Sequence, residues 1–236
     1  MSRVPSSTAF SQSRLGSLLA SLGGPAKGPD PRHFGQRLGT LFDLSQSVAL
    51  ADTLATLQRQ PFEAADADDA PSRAREDFLR VRAAMIATVM RSLVPDSGPT
   101  RIRWPDAVLE EGGGDALRRF YLAHQREMEM RAIGVHERCR DALRGCTPEL
   151  ARLALLDEAL MGSLLGHSRK FFASIPGVLV RMQAAAREAL LQGAADAEQQ
   201  LKSDVQALLL AEVSDRLLPV LGLVEALDEH LERNPL

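Results

Sequence analysis

Apolar residues recur three or four positions apart over most of this chain, and that regularity restricts its possible folds more than any other feature. The clearest run is Val213, Leu217, Val220, Val224, Leu227 and Leu231. Side chains so spaced share one face of an α-helix, whereas a strand would alternate with a period of two. The residue types agree with the spacing. Hydrophobic residues make up 45% of the chain but aromatics only 4%, so the apolar content is mainly Leu and Ala, the strongest apolar helix formers. An all-α fold follows: an elongated bundle of roughly five to seven helices behind a flexible N-terminal arm.

Punctuation divides the helices. Residues 1–31 are rich in Ser, Gly and Pro and read as the arm, with Arg14–Leu22 a short helical insert expected to fray. Residues 32–236 read as a single helical domain with a possible sub-boundary at 95–114. A first helix is expected from about His33 to Arg59, with Val48, Ala51 and Ala55 on its apolar face. Pro61 and the acidic stretch Asp66–Ala70 end it. A second helix starts near Ser72 and carries the stripe Leu79, Ala83, Ile86, Met90 and Leu93. Asp115 is placed to cap a third helix after a Gly112–Gly114 loop; Gly145 suits the left-handed position that closes it. Thr147-Pro148 then reads as an N-cap followed by proline at the first helical position. The fourth helix, with Leu153, Leu156, Leu160, Leu164, His167 and Phe171 as its stripe, is expected to stop before Pro176-Gly177. In the last helix, Pro219 predicts a kink or a break.

Candidate chemistry is thin. His124, His136, Cys139 and Cys146 form a loose His/Cys group, yet they lack the short ligand pairs of a structural zinc site. Cys139 and Cys146 also lie on an apolar stripe, as free cysteines in cores do. Asp66-x-Asp68 opens like an EF-hand loop, but Ala70 and Pro71 break the pattern. Gly23–Gly28 lacks P-loop spacing, and Ser163, His167 and Ser168 lack a nucleophile elbow. Asp157-Glu158, adjacent on a helix, are expected to diverge. The expected protein is therefore not an enzyme and needs no cofactor or metal. The formal net charge of −3 supplies no global attraction to nucleic acid. No apolar run approaches the roughly 18–20 residues that span a bilayer, and a cytoplasmic location is expected.

Two stretches carry a family likeness: His167-Ser168-Arg169-Lys170-Phe171-Phe172-Ala173-Ser174-Ile175-Pro176-Gly177-Val178-Leu179, and the opening Phe34-Gly35-Gln36-Arg37-Leu38-Gly39-Thr40-Leu41. With the helical layout, they resemble a group of all-helical proteins of about this length from β-proteobacteria and relatives, classed as a domain of unknown function. The resemblance implies a bacterial cytoplasmic protein, and a setting near coiled-coil and envelope-associated proteins that suits a partner role. It carries over no catalytic residue.

Burying one aliphatic side chain contributes about 1.5–3 kcal/mol, while ordering each backbone residue costs about 1–2 kcal/mol. A single stripe thus cannot hold the last helix as a free rod; it must pack on its own chain or on a partner. The expected function is a non-catalytic helical interaction or scaffold protein, an oligomer or a subunit of a larger bacterial complex. Partner contacts are expected at Phe171, Phe172, Val213, Leu217, Val220, Val224, Leu227 and Leu231, and the same side chains could equally close the chain's own core. The alternative is a nucleic-acid-binding regulator using Arg73, Arg75, Arg82, Arg91, Arg101 and Arg103.

Overall fold

A computed structural model describes residues 14–22, 48, 51–53, 55–56, 70–94 and 101–233. Among them five long or intermediate helices are defined: α1 (Arg14–Ser21), α2 (Ala70–Ser92), α3 (Gly113–Arg144), α4 (Pro148–Leu191) and α5 (Ala197–Arg233). The described residues contain no strand. Val48, Ala51 and Ala55 are helical but exposed, so they do not form the buried face expected of them; the rest of the His33–Arg59 expectation lies outside the described residues.

Short links between α3 and α4 and between α4 and α5 force antiparallel neighbours. Cross-helix contacts show α2 antiparallel to both of its neighbours. Arg75 near its start pairs with Asp228 near the end of α5, and Asp77 pairs with Arg138 near the end of α3. The result is an up-down four-helix bundle in which α3 also touches α5 across the diagonal, while α1 lies against α5. Leu15 and Leu19 of α1 are buried in the common core, so this part of the expected arm is a packed element.

α3 takes the centre because its apolar face is unusually wide. Helical spacing directs Phe120 and His124 toward α2, Tyr121 and Met128 toward α5, and Gln125 and His136 toward α4; all six are buried. The face chosen by α2 differs from the expected one. Leu79, Ala83 and Met90 point outward, and Ala74, Phe78, Met85, Val89 and Ser92 are buried. Both faces of α2 carry apolar residues, and the aromatic Phe78 goes inside.

Boundaries were also redrawn by tertiary contacts. Thr147 caps α4 as expected, its Oγ1 accepting from the Leu150 amide at 3.3 Å. α3, however, starts at Gly113 rather than after the glycines: Gly112 is the cap, with a left-handed φ of 81°, and Asp115 lies in the first turn. Gly145 ends the helix with φ −93° rather than a left-handed conformation. The connection before α3 is packed rather than loose. Val108 and Leu109 are buried, Trp104 meets Phe120 edge-on at 5.5 Å, and the Gln183 side chain donates to the Val108 carbonyl at 3.0 Å. The backbone here runs so close to α3 that a Cβ on Gly113 would stand 2.0 Å from the Val108 oxygen.

α4 runs through Pro176 for 44 residues, about 66 Å, and α5 runs through Pro219 for 37. α4 therefore does not stop before Pro176, and of the kink or break expected at Pro219 the break is absent.

Gly113→Ala is expected to destabilise the protein by about 2–4 kcal/mol in urea titrations, because backbone must move to admit the methyl. Gly222→Ala, where nothing lies within 4 Å of the new methyl, should instead stabilise by about 0.5–1 kcal/mol.

Candidate functional site

Two polar assemblies stand out, one inside the bundle and one on its surface. The inner one begins with Glu212, a fully buried carboxyl on α5. Its Oε2 accepts from the Tyr121 hydroxyl at 2.8 Å and from Gln125 Nε2 at 3.1 Å, both on α3. Its Oε1 accepts from Arg216, one helical turn on, at 2.8 Å. Burial pushes the Glu212 carboxyl above the usual range against the downward pull of Arg216, Gln125 and Tyr121. The Tyr121 hydroxyl is driven well above its ordinary value, by burial first and then by the carboxylate beside it. The Arg216 guanidinium in turn lies 3.9 Å from the centre of the Phe172 ring on α4, a cation–π contact in desolvated surroundings.

Gln125 explains how α4 passes Pro176. Proline has no amide hydrogen, so the carbonyl four residues earlier, that of Phe172, loses its helical donor. Gln125 Nε2 supplies the replacement, donating to the Phe172 oxygen at 2.9 Å. One amide group thus serves both Glu212 and the proline-orphaned carbonyl, and joins α3, α4 and α5 at a single level.

A second buried pair lies further along α3. His136 Nε2 and Arg140 Nε both contact Asp157 of α4, at 2.8 and 2.9 Å. Burial raises the Asp157 pKa, but His136 and Arg140 outweigh it and hold the carboxyl below its usual value. Glu158 also reaches α3, through Arg144 at 2.7 Å, so the two adjacent acids take separate partners, Asp157 in the interior and Glu158 at the surface. Cys139 is buried beside Ala74 with its thiol pushed up to about 11, by burial and then by Asp77. His124 is bonded to Ser92 at 2.9 Å. Because the Ser92 hydroxyl donates to the Val89 carbonyl, His124 Nε2 must be the donor in that pair. The His/Cys residues are thus spread over separate contacts, and no group of three or more His, Cys, Asp or Glu among the described residues is arranged to hold a metal.

The expected partner residues divide. Val213, Leu217, Val220, Val224 and Leu227 are buried in the chain's own core and Leu231 is half-buried. α5 is covered by α1, α2, α3 and α4, which leaves this stripe no surface to offer. Phe172 is buried under Arg216, whereas Phe171 is 44% exposed. α4 itself changes character along its length. Phe172, Ile175, Val178, Leu179 and Met182 are buried, but Leu156, Leu160, Met161, Leu164 and Leu165 are only half-buried and lie outside the packed core. A small cavity of about 100 Å³ separates Met161 and Leu165 from Pro219 of α5.

The six expected nucleic-acid arginines are all exposed, but they do not share a face. Helical spacing sets Arg75 and Arg82 on the side of α2 opposite Arg73 and Arg91, and Arg75 is engaged by Asp228 at 2.8 Å. Arg91 and Arg101 instead meet Arg126 and Arg131 of α3 around an open cleft of about 550 Å³. Nothing in the spacing of 73–103 pointed to the two α3 arginines. Nor did it point to Gln125, whose partners Phe172 and Glu212 lie 47 and 87 residues away.

The chain belongs to the family described as protein of unknown function (DUF3348), whose model matches residues 1–229. This agrees with the resemblance to an all-helical family of unknown function. No curated protein and no solved structure matches it. No helix among the described residues is long and apolar enough to cross a membrane.

Gln125→Leu should cost about 3 kcal/mol in chemical denaturation, since it strips donors from a buried carboxyl and a buried carbonyl at once. Adding Pro176→Ala restores an amide hydrogen for Phe172, so the double variant should recover about 1 kcal/mol relative to additivity. A second measurement concerns His124, which burial holds down at about 4. The unfolded chain takes up the proton near pH 6.5 and the folded one near 4. Stability should therefore fall on acidification through that window by about 3 kcal/mol more than in His124→Gln. Equal pH slopes for the two proteins would contradict the assignment.

Proposed function

We propose that this protein is a non-catalytic helical interaction protein that self-associates through the first half of α4. The observation carrying this reading is the half-covered stripe Leu156, Leu160 and Leu164, with Met161 and Leu165 beside it. The second half of the same helix shows what complete coverage looks like, with Phe172, Ile175 and Leu179 buried. Leaving a row of leucines half in water forfeits about 0.8 kcal/mol per methylene that burial would recover, and a second apolar helix face supplies that cover.

A second copy of the chain suits the charge arrangement. Exposed Glu149 precedes the stripe and exposed Lys170 follows it, while Glu158 and Arg169 are engaged by Arg144 and Glu129 of α3. In a twofold-symmetric dimer the two α4 helices can cross antiparallel, which brings Glu149 of each toward Lys170 of the other. Exposed Phe171, next to Lys170, extends the apolar surface. This reading moves the partner surface from α5, where the repeat is most regular, to α4, where coverage is incomplete.

Sedimentation equilibrium of the full chain should give a mass above that of one chain, with dissociation on dilution. Leu160→Glu combined with Leu164→Glu should yield monomer while helical circular dichroism is retained. A monomeric wild-type chain at high concentration would rule the proposal out.

A further inference from the structure

We infer that the cleft between α2, α3 and the Arg101–Ile102 segment binds a phosphorylated small molecule of the nucleotide class. Four guanidinium groups from three separate elements line it: Arg91 from α2, Arg101 from the segment that follows, and Arg126 and Arg131 from α3. Among the described residues that line the cleft, Glu127 is the one carboxylate, and Arg131 engages it at 2.5 Å. Among the described residues no carboxylate lies within ion-pairing distance of Arg101 or Arg126. The Arg91 side chain is steadied by its Nε donating to the Ala87 carbonyl at 3.2 Å. Positive charge in excess within a concavity concentrates anions from solution, and guanidinium forks match phosphate oxygens two bonds at a time.

The chain as a whole is acidic by three charges, so this cleft is a local reversal and not part of a general field. Its walls are also not purely ionic. Ile102 and Met130, the latter 72% exposed, supply apolar surface beside the arginines. A long flexible thioether exposed to this degree is suited to packing against a planar ring. A ligand that uses both features carries phosphates and a flat or apolar body. About 550 Å³ falls within the range of small-molecule sites, roughly 300–1,000 Å³. A polymer would need the basic surface to continue along the bundle, yet Arg75 and Arg82 face away from Arg91 and Arg75 is paired with Asp228.

Isothermal titration of the full chain at low ionic strength, with ATP and with inorganic triphosphate as probes, tests the site. ATP is expected to bind more tightly than triphosphate. Arg101→Gln and Arg126→Gln should each weaken ATP by about tenfold or more, with unchanged thermal melting because both side chains are exposed. Arg82→Gln, on the far side of α2, should leave binding unaltered. Absence of ATP binding at concentrations on the order of 1 mM, or binding indifferent to both cleft variants, overturns the inference. Equal affinity for ATP and triphosphate overturns the nucleotide class. A single-stranded oligonucleotide bound more tightly than ATP, and weakened as much by Arg82→Gln as by Arg101→Gln, overturns it in favour of a polymer. None of these readings involves the α4 leucines, so they stand apart from the oligomer measurement.

Discussion

Glu212 sits on the inward face of α5, where a carboxyl without partners would cost several kcal/mol, and its neighbours must therefore present donors at fixed heights. Tyr121 and Gln125 of α3 and Arg216 of α5 meet that requirement. Leucine faces alone tolerate sliding of one helix past another, because one aliphatic contact replaces the next at similar energy. The two directed contacts that Tyr121 and Gln125 make from α3 do not. The Glu212 cluster thus sets the register of α3 against α5, and through the Phe172 carbonyl and ring it sets that of α4 as well.

The same cluster governs where α4 can pass through a proline. Pro176 is buried and its helix continues on both sides, which is possible because a side chain from α3 takes the place of the missing amide. The level of the proline and the level of the buried carboxyl are therefore one structural feature. Beyond it toward the start of α4, a small cavity lies among α3, α4 and α5 beside Pro219, and the leucines there are half-covered. The first half of the 44-residue helix is held to α3 by Asp157 but keeps its leucines half-covered, and the second half is buried around Phe172 and Pro176.

Surface charge follows a different logic. Many arginines lie in local pairs with acids on the same or a neighbouring helix, as Arg131 with Glu127 and Arg169 with Glu129; exposed pairs of this kind contribute little to stability. The cleft arginines differ in gathering from three elements around one concavity. Convergence of like charge is unfavourable by itself, so it marks a place where an anion would relieve the repulsion.

The all-helical fold, the cap at Thr147 and the existence of helices corresponding to α2 through α5 are written in local periodicity and turn chemistry, which act over a few residues and can be read along the chain. The stripe Val213–Leu227 is as regular as any, yet its spacing is the same whether it meets the chain's own helices or another protein; the bundle decides, by covering that face of α5 and leaving Leu218 and Leu221 exposed. Helix α2 shows the complementary failure, because two apolar faces compete and packing alone selects Phe78 over Leu79. Pro176 marks a helix end by local rules, and only the approach of Gln125, 47 residues away along the chain, removes the penalty. The arginine cleft was half visible, since Arg91 and Arg101 are near in sequence while Arg126 and Arg131 join them only when α3 folds back alongside α2. Helix formation was thus determined by neighbours in sequence; which faces are buried, which prolines are tolerated and which charges converge were decided by contacts between residues that the chain itself keeps far apart.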